Sequence, residues 1–232
     1  MEPEIKSSRS LLTRLTFFVA GFVLIQCVQL WLLAMRAIKA NQIGLQLTVS
    51  IAYLASFGLL IWLLVRVVSQ ERKAAIWHRI SGLDVKLAVG GFVAFYVIEM
   101  GLGTLNQLLF NQQQTQNTQT INTLMGSSPW TFYLLAFSAT FLSPVIEELL
   151  FRGYLFNAFF KKDQLWLPVV VSGVVFSLAH ASSNPVSFLI YALLGAILMW
   201  VYRQTDNLAT SISLHFLNNF IAMGLTILNL NH

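Results

Sequence analysis

Residues 143–156 read SPVIEELLFRGYLF, with three ionisable side chains, Glu147, Glu148 and Arg152, set in an otherwise apolar run. That run extends from about 130 to 160, long enough to cross a bilayer, which needs roughly 20 apolar residues. The composition says the same of the whole chain. Of 232 residues 56% are apolar and only 10% charged, with 18 Phe and 6 Trp, and the mean hydropathy is +0.69. A soluble chain of this size buries only about 70–75% of the surface it exposes when unfolded, too little to hide so much apolar area. Disorder would require the opposite bias. The fold class is therefore all-α, a polytopic membrane helix bundle.

Runs of suitable length lie at about 15–35, 45–68, 87–110, 130–160, 165–181, 185–202 and 207–229. They predict seven membrane helices in a single domain, 1–232, or eight if the fourth is broken at Pro144. The basic amino terminus before residue 15 resembles a signal peptide, but the run that follows is too long for a cleaved core and reads as a retained anchor. With the amino terminus inside, eleven basic residues fall on inner segments: Lys6, Arg9, Arg14, Arg66, Arg72, Lys73, Arg79, Lys86, Lys161, Lys162 and Arg203. Only Arg36 and Lys39 fall outside, a strong positive-inside bias. Seven spans leave His232 outside. The net charge of +5 thus reads as membrane orientation and not as a nucleic-acid surface. The single cysteine, Cys27, excludes an intrachain disulfide and reads as packing. The uncharged loop 111–128, rich in Gln, Asn and Thr, reads as a flexible connection or as a lid over an embedded site. Gly101, Gly103 and Gly195 are expected to allow close helix contact. No internal repeat of the transporter kind is visible.

Polar groups that would be costly in lipid concentrate in the later runs: Glu147, Glu148, Arg152, His180, His215 and Asn219. Glu148 and Arg152 are four residues apart, share a helix face and can pair. Glu147 lies about 100° round the axis and must do something else. Phe176 with His180, and His215 with Asn219, repeat the four-residue spacing, so a ring should lie beneath the His180 imidazole. Counted at 1.5 Å per residue from the inner boundary, Glu147, His180 and Asn219 reach similar depths of about 18–22 Å, with His215 one to two turns nearer the inside.

A carboxylate held away from bulk water is a competent general base. Glu147 and His180 could hold a water and deprotonate it during attack on a carbonyl. His215 and Asn219 offer N–H donors for the oxyanion, and Arg152 would neutralise Glu148. That set suffices for peptide hydrolysis without a cofactor. A Zn²⁺ site made of Glu147, His180 and His215 is the alternative, although the HExxH signature is absent.

EELLFR at 147–152, Phe176 to His180 and His215 to Asn219 match the EExxxR, FxxxH and HxxxN motifs in order. The chain thereby resembles the CAAX-processing and bacteriocin-processing (CPBP, Abi) family of intramembrane proteases over about 130–225, the expected catalytic core. The resemblance implies a helical intramembrane endopeptidase acting on a membrane-associated peptide or protein. It implies that Glu147 and His180 activate water and that His215 and Asn219 stabilise the oxyanion, with Glu148, Arg152 and Phe176 in support. Members have commonly been labelled metalloproteases. Eukaryotic members trim prenylated CAAX proteins, and bacterial ones are linked to peptide maturation or bacteriocin immunity. The expected location is a bacterial plasma membrane.

Simpler roles compete. Glu147 and Glu148 could form a structural ion-pair network with Arg152, and the histidines and Asn219 could merely hold helices together. The chain would then be a non-catalytic scaffold or immunity protein. A proton-coupled transporter is a third reading. Glu99, inside the third run, fits no motif; it could pair with Arg152, line a cavity or bond between helices. Asn218 reads as packing.

Overall fold

The computed structural model describes residues 9–72 and 75–230. Lys6, Lys73 and His232, counted above for orientation, lie outside the described residues. Helix α1 (Leu11–Val28) starts at Ser10, whose hydroxyl accepts from the Thr13 amide, and leads through a turn at Gln29 into α2 (Leu30–Arg36). Then come α3 (Ile43–Glu71) and α4 (Gly82–Phe110), the latter opened by a reciprocal Ser81–Asp84 capping box. Next are the short α5 (Gln116–Met125), the rod α6 (Pro129–Phe159), α7 (Trp166–Leu178), α8 (Pro185–Thr205) and α9 (Leu208–Leu230). Asn184 caps α8, and Pro185 occupies the first turn, where its missing N–H costs nothing.

Among the described residues six helices are long and apolar enough to cross a membrane: α1 with α2, α3, α4, α6, α8 and α9. The expected fifth span differs. Its apolar run ends as a 13-residue helix at Leu178, about 20 Å long and short of a full crossing as a helix. The reason is local: Ala181, Ser182, Ser183 and Asn184 lead into the cap of α8, and the polypeptide leaves the helix before His180.

The fourth run is continuous through Pro144. Because proline has no N–H for the carbonyl four residues back, the ladder widens instead of breaking. The Ser143 amide donates to Ser138 O, five residues back, in a π turn over Ser138–Leu142. A second π turn spans Leu149–Tyr154, where the Leu155 amide reaches Leu150 O. The α-helical piece between them, Ser143–Glu148, carries both glutamates. Wide turns of this kind recur at functional sites.

Half of the apolar window of α6 and of α8 is buried, against 11–28% for the other long helices, which present Leu, Val and Phe outward. The centre is thus α6 and α8. Helix α8 packs on α7 and α4, α9 packs on α4, α8 and the Ser143–Glu148 piece, and α3 packs on Leu149–Tyr154. Gly195 and Gly173 make the α7–α8 approach possible: a Cβ at Gly195 would sit 2.7 Å from Phe176 Cβ, and one at Gly173 2.5 Å from Ala192 O. Gly101 and Gly103, expected to do the same, have nothing within 4 Å of a Cβ position; both lie on the unpacked side of α4. Cys27 is likewise exposed and not packed.

The basic loops meet at one end of the bundle. Arg9 pairs with Glu71 at 2.8 Å, Arg72 with Asp206 at 3.0 Å, and Arg203 Nε donates to Gln164 O at 3.2 Å. At the other end Asn184 Nδ2 donates to Asn106 Oδ1 and Gln112 Oε1, both at 2.8 Å.

Candidate active site

Arg152 and Glu148 are wholly buried side chains, joined Nη1 to Oε1 at 2.8 Å, as their spacing on one helix face requires. A buried cation needs further partners. Arg152 Nη2 donates to Gly195 O at 2.8 Å, and its guanidinium lies over the Phe176 ring at 4.8 Å. The same Glu148 Oε1 accepts from His215 Nδ1 at 2.9 Å. One carboxylate oxygen therefore ties α6 to itself and to α9.

His180, just past the end of α7, is held by its own backbone. Its Nδ1 lies 2.8 Å from Phe176 O, a carbonyl that can only accept, so Nδ1 carries the proton. The ring sits against Phe176, with centroids 4.4 Å apart as the spacing predicts, and stacks on Tyr191 at 4.6 Å and 16°. Nε2 is left facing Glu147.

Glu147 stands between the two histidines. Its Oε2 is 3.9 Å from His180 Nε2 and 3.9 Å from His215 Nε2, and it has no direct hydrogen-bond partner. Groups at that separation can each reach one water at about 2.8 Å, subtending about 90° at its oxygen. His215, expected nearer the inside, is therefore as close to Glu147 as His180 is. Asn219 Nδ2 donates to Ala139 O at 2.9 Å, and Asn218 Nδ2 to Asn219 Oδ1 at 3.3 Å.

Glu147, His180, His215 and Asn219 all border one cavity of about 250 Å³. Phe176, Glu148 and Arg152 stand behind its wall. The segment 111–128 is ordered against it: α5 is a helix, and Thr115, Asn117, Thr118 and Ile121 border the cavity. Thr115 Oγ1 and Tyr191 OH share a hydrogen bond of 2.6 Å, and the Asn117 amide donates to Ala181 O at 3.2 Å. Glu99 borders the same cavity and is not paired with Arg152.

The zinc set is not assembled. Tetrahedral zinc at 2.0–2.1 Å brings ligand atoms to about 3.3 Å from one another, closer than the 3.9 Å separations found here. Among the described residues no group of three or more His, Cys, Asp or Glu is placed to hold a metal ion.

Sequence reasoning missed the His215–Glu148 bond, Tyr191 and the helical form of α5. Tyr191 is one aromatic among many in an apolar helix, and nothing in its spacing marks it. The polar loop did carry a signal, its length and lack of charge.

One family model matches this region of the chain. The family described as "Type II CAAX prenyl endopeptidase Rce1-like" matches residues 129–221. YdiL of Bacillus subtilis is 24% identical over 60% of this chain and 54% of its own length. The UPF0177 protein YvdC of Lactococcus lactis is 24% identical over 66% of this chain and 58% of its own. The membrane-embedded CAAX protease MroQ of Staphylococcus aureus is 29% identical over 61% and 58%. The chain thus spans little more than half the length of these relatives. No solved structure matches it.

Proposed function

We propose that this chain, which belongs through residues 129–221 to the Rce1-like family of type II CAAX prenyl endopeptidases, hydrolyses a peptide bond of a membrane-associated peptide or protein. The observation that carries the reading is the unpartnered Glu147 Oε2, 3.9 Å from both imidazole Nε2 atoms in a cavity among apolar helices.

The steps follow from the donors and acceptors. A water held between Glu147 Oε2 and the His180 Nε2 lone pair gives a proton to Glu147 as its oxygen bonds to the carbonyl carbon. The carbonyl oxygen becomes an oxyanion facing His215 and Asn219. Donation from His215 Nε2 requires a doubly protonated ring, for which Glu148 beside Nδ1 supplies the counter-charge. When the C–N bond breaks, the proton on Glu147 passes to the leaving amine, and acid and amine products result. Neither a serine nor a cysteine nucleophile enters. A prenylated CAAX end is one candidate substrate, since the matched family is described as a CAAX prenyl endopeptidase and MroQ as a CAAX protease.

The catalytic core is 130–225 within one domain, in a plasma membrane with the amino terminus cytoplasmic. We count seven crossings. Gln164 lies at the basic end and Asn184 at the opposite one, so α7 and the segment after it traverse together what α8 traverses alone.

The test is cleavage of membrane peptides by the full chain in detergent. Glu147→Gln and His180→Ala should each lower the rate by about 10²–10⁴-fold. Undiminished cleavage in both would leave a scaffold or immunity role, in which case Glu147→Gln would also keep the cellular phenotype.

A further inference from the structure

Among the described residues, Glu99 is the one acid of the cavity wall that hydrolysis does not use. It sits in α4, a 29-residue helix, about 25 Å along the axis from Gly82 and about 17 Å from Phe110. Its side chain is exposed yet borders the cavity shared by Glu147 and His180, so it stands where that cavity opens. Arg152, a conceivable partner, is taken by Glu148 and Gly195. Among the described residues no Lys or Arg pairs with Glu99, and none borders the cavity. Tyr191, the ring stacked on His180, borders the same cavity. A carboxylate at this depth costs several kcal/mol unless it faces a cavity and meets a counter-charge.

From this placement we infer that Glu99 is a specificity-determining residue, the subsite for a lysine or arginine side chain of the peptide bound in the cavity. The inference rests on the peptidase reading for what the peptide is doing there. A lipid amine is the competing source of such a cation, and titration in lipid-free detergent removes it from the measurement. An amino-acid side chain on a membrane-embedded segment reaches this level, and pairing with the Glu99 carboxylate at the cavity mouth offsets part of the cost of bringing that cation out of water.

The experiment measures binding, with cleavage scored separately. The probe is a fluorescent Leu/Ala peptide of about 20 residues with one central lysine, compared with its norleucine counterpart. Both are titrated in lipid-free detergent against the full chain carrying Glu147→Gln, so that neither is consumed. The lysine peptide should bind at least about tenfold more tightly. Adding Glu99→Gln should abolish that preference, and adding Glu99→Asp should keep it, which separates lost charge from a folding defect. Equal affinity of the two peptides in the Glu147→Gln protein, or a preference that survives Glu99→Gln, overturns the inference. If the protein without substitutions cleaves neither peptide while the preference behaves as stated, the subsite stands and the peptidase reading falls.

Discussion

Glu148 Oε1 receives two hydrogen bonds, from Arg152 at 2.8 Å and from His215 at 2.9 Å. The residue next to the proposed base is thereby a fastener: it fixes the imidazole that faces Glu147 and balances a guanidinium with no access to solvent.

Replacing Glu148 with Gln leaves the wholly buried Arg152 charge uncompensated, a change that costs about 3–5 kcal/mol when one partner of a buried pair is removed. Glu147→Gln breaks no direct hydrogen bond at Oε2 and should shift stability by less than about 1 kcal/mol. Thermal unfolding of the two variants in the same detergent should separate them clearly. Equal melting temperatures would contradict the network described.

The α7–α8 contact predicts a difference among glycines. Gly195→Ala and Gly173→Ala force a Cβ into Phe176 and Ala192 O and should cost about 1–3 kcal/mol, as overpacking does. Because Phe176 supports His180, cleavage should fall as well. Gly101→Ala and Gly103→Ala meet open space and should stabilise α4 by up to about 1 kcal/mol. Unfolding measurements on the four variants decide this.

Tyr191→Phe removes the hydroxyl bonded to Thr115 and keeps the ring on His180. Losing one such bond, worth about 1 kcal/mol, should raise hydrogen exchange across 115–125 about fivefold. Tyr191→Ala should add a fall in turnover, because the imidazole loses a stacking partner. Unchanged exchange in the Phe variant would mean that α5 is held by other contacts.

Asn219→Ala should slow cleavage by about 10²-fold with little change in substrate affinity, the pattern of a donor used in the transition state. A rise in KM with turnover unaltered would place Asn219 in substrate binding instead.

Metal analysis of the purified protein should give well under one zinc per chain, because the Glu147–His180–His215 spacing is too wide for a shared ion. Stoichiometric, tightly held zinc would reverse that reading.

Contacts within one helix were legible in the sequence, because pitch alone sets them. Glu148 meets Arg152 four residues on; Phe176 meets His180 at the same interval although α7 has already ended at Leu178, because the ring is tied back to the Phe176 carbonyl. Contacts between helices were less so. Depth counted from Asn207 along an upright axis put His215 below Glu147, whereas the packing of α9 on α6 brings them within 3.9 Å. Hydropathy carried the fifth run past His180, since Ala179 and Ala181 are apolar, but Asn184 and Pro185 had already begun the next helix. Small size alone did not reveal which glycines touch a neighbour. Gly195 faces α7 and Gly101 faces nothing, a matter of rotation about the axis that the spacing of small residues does not encode.

His180 is held through Nδ1 by a main-chain oxygen, that of Phe176. An anchor of this sort belongs to the point where α7 stops and not to any genetic letter. Side chains around the ring could drift over generations without handing its proton to the other nitrogen, whereas a single residue inserted or deleted between Phe176 and His180 would silence it at once.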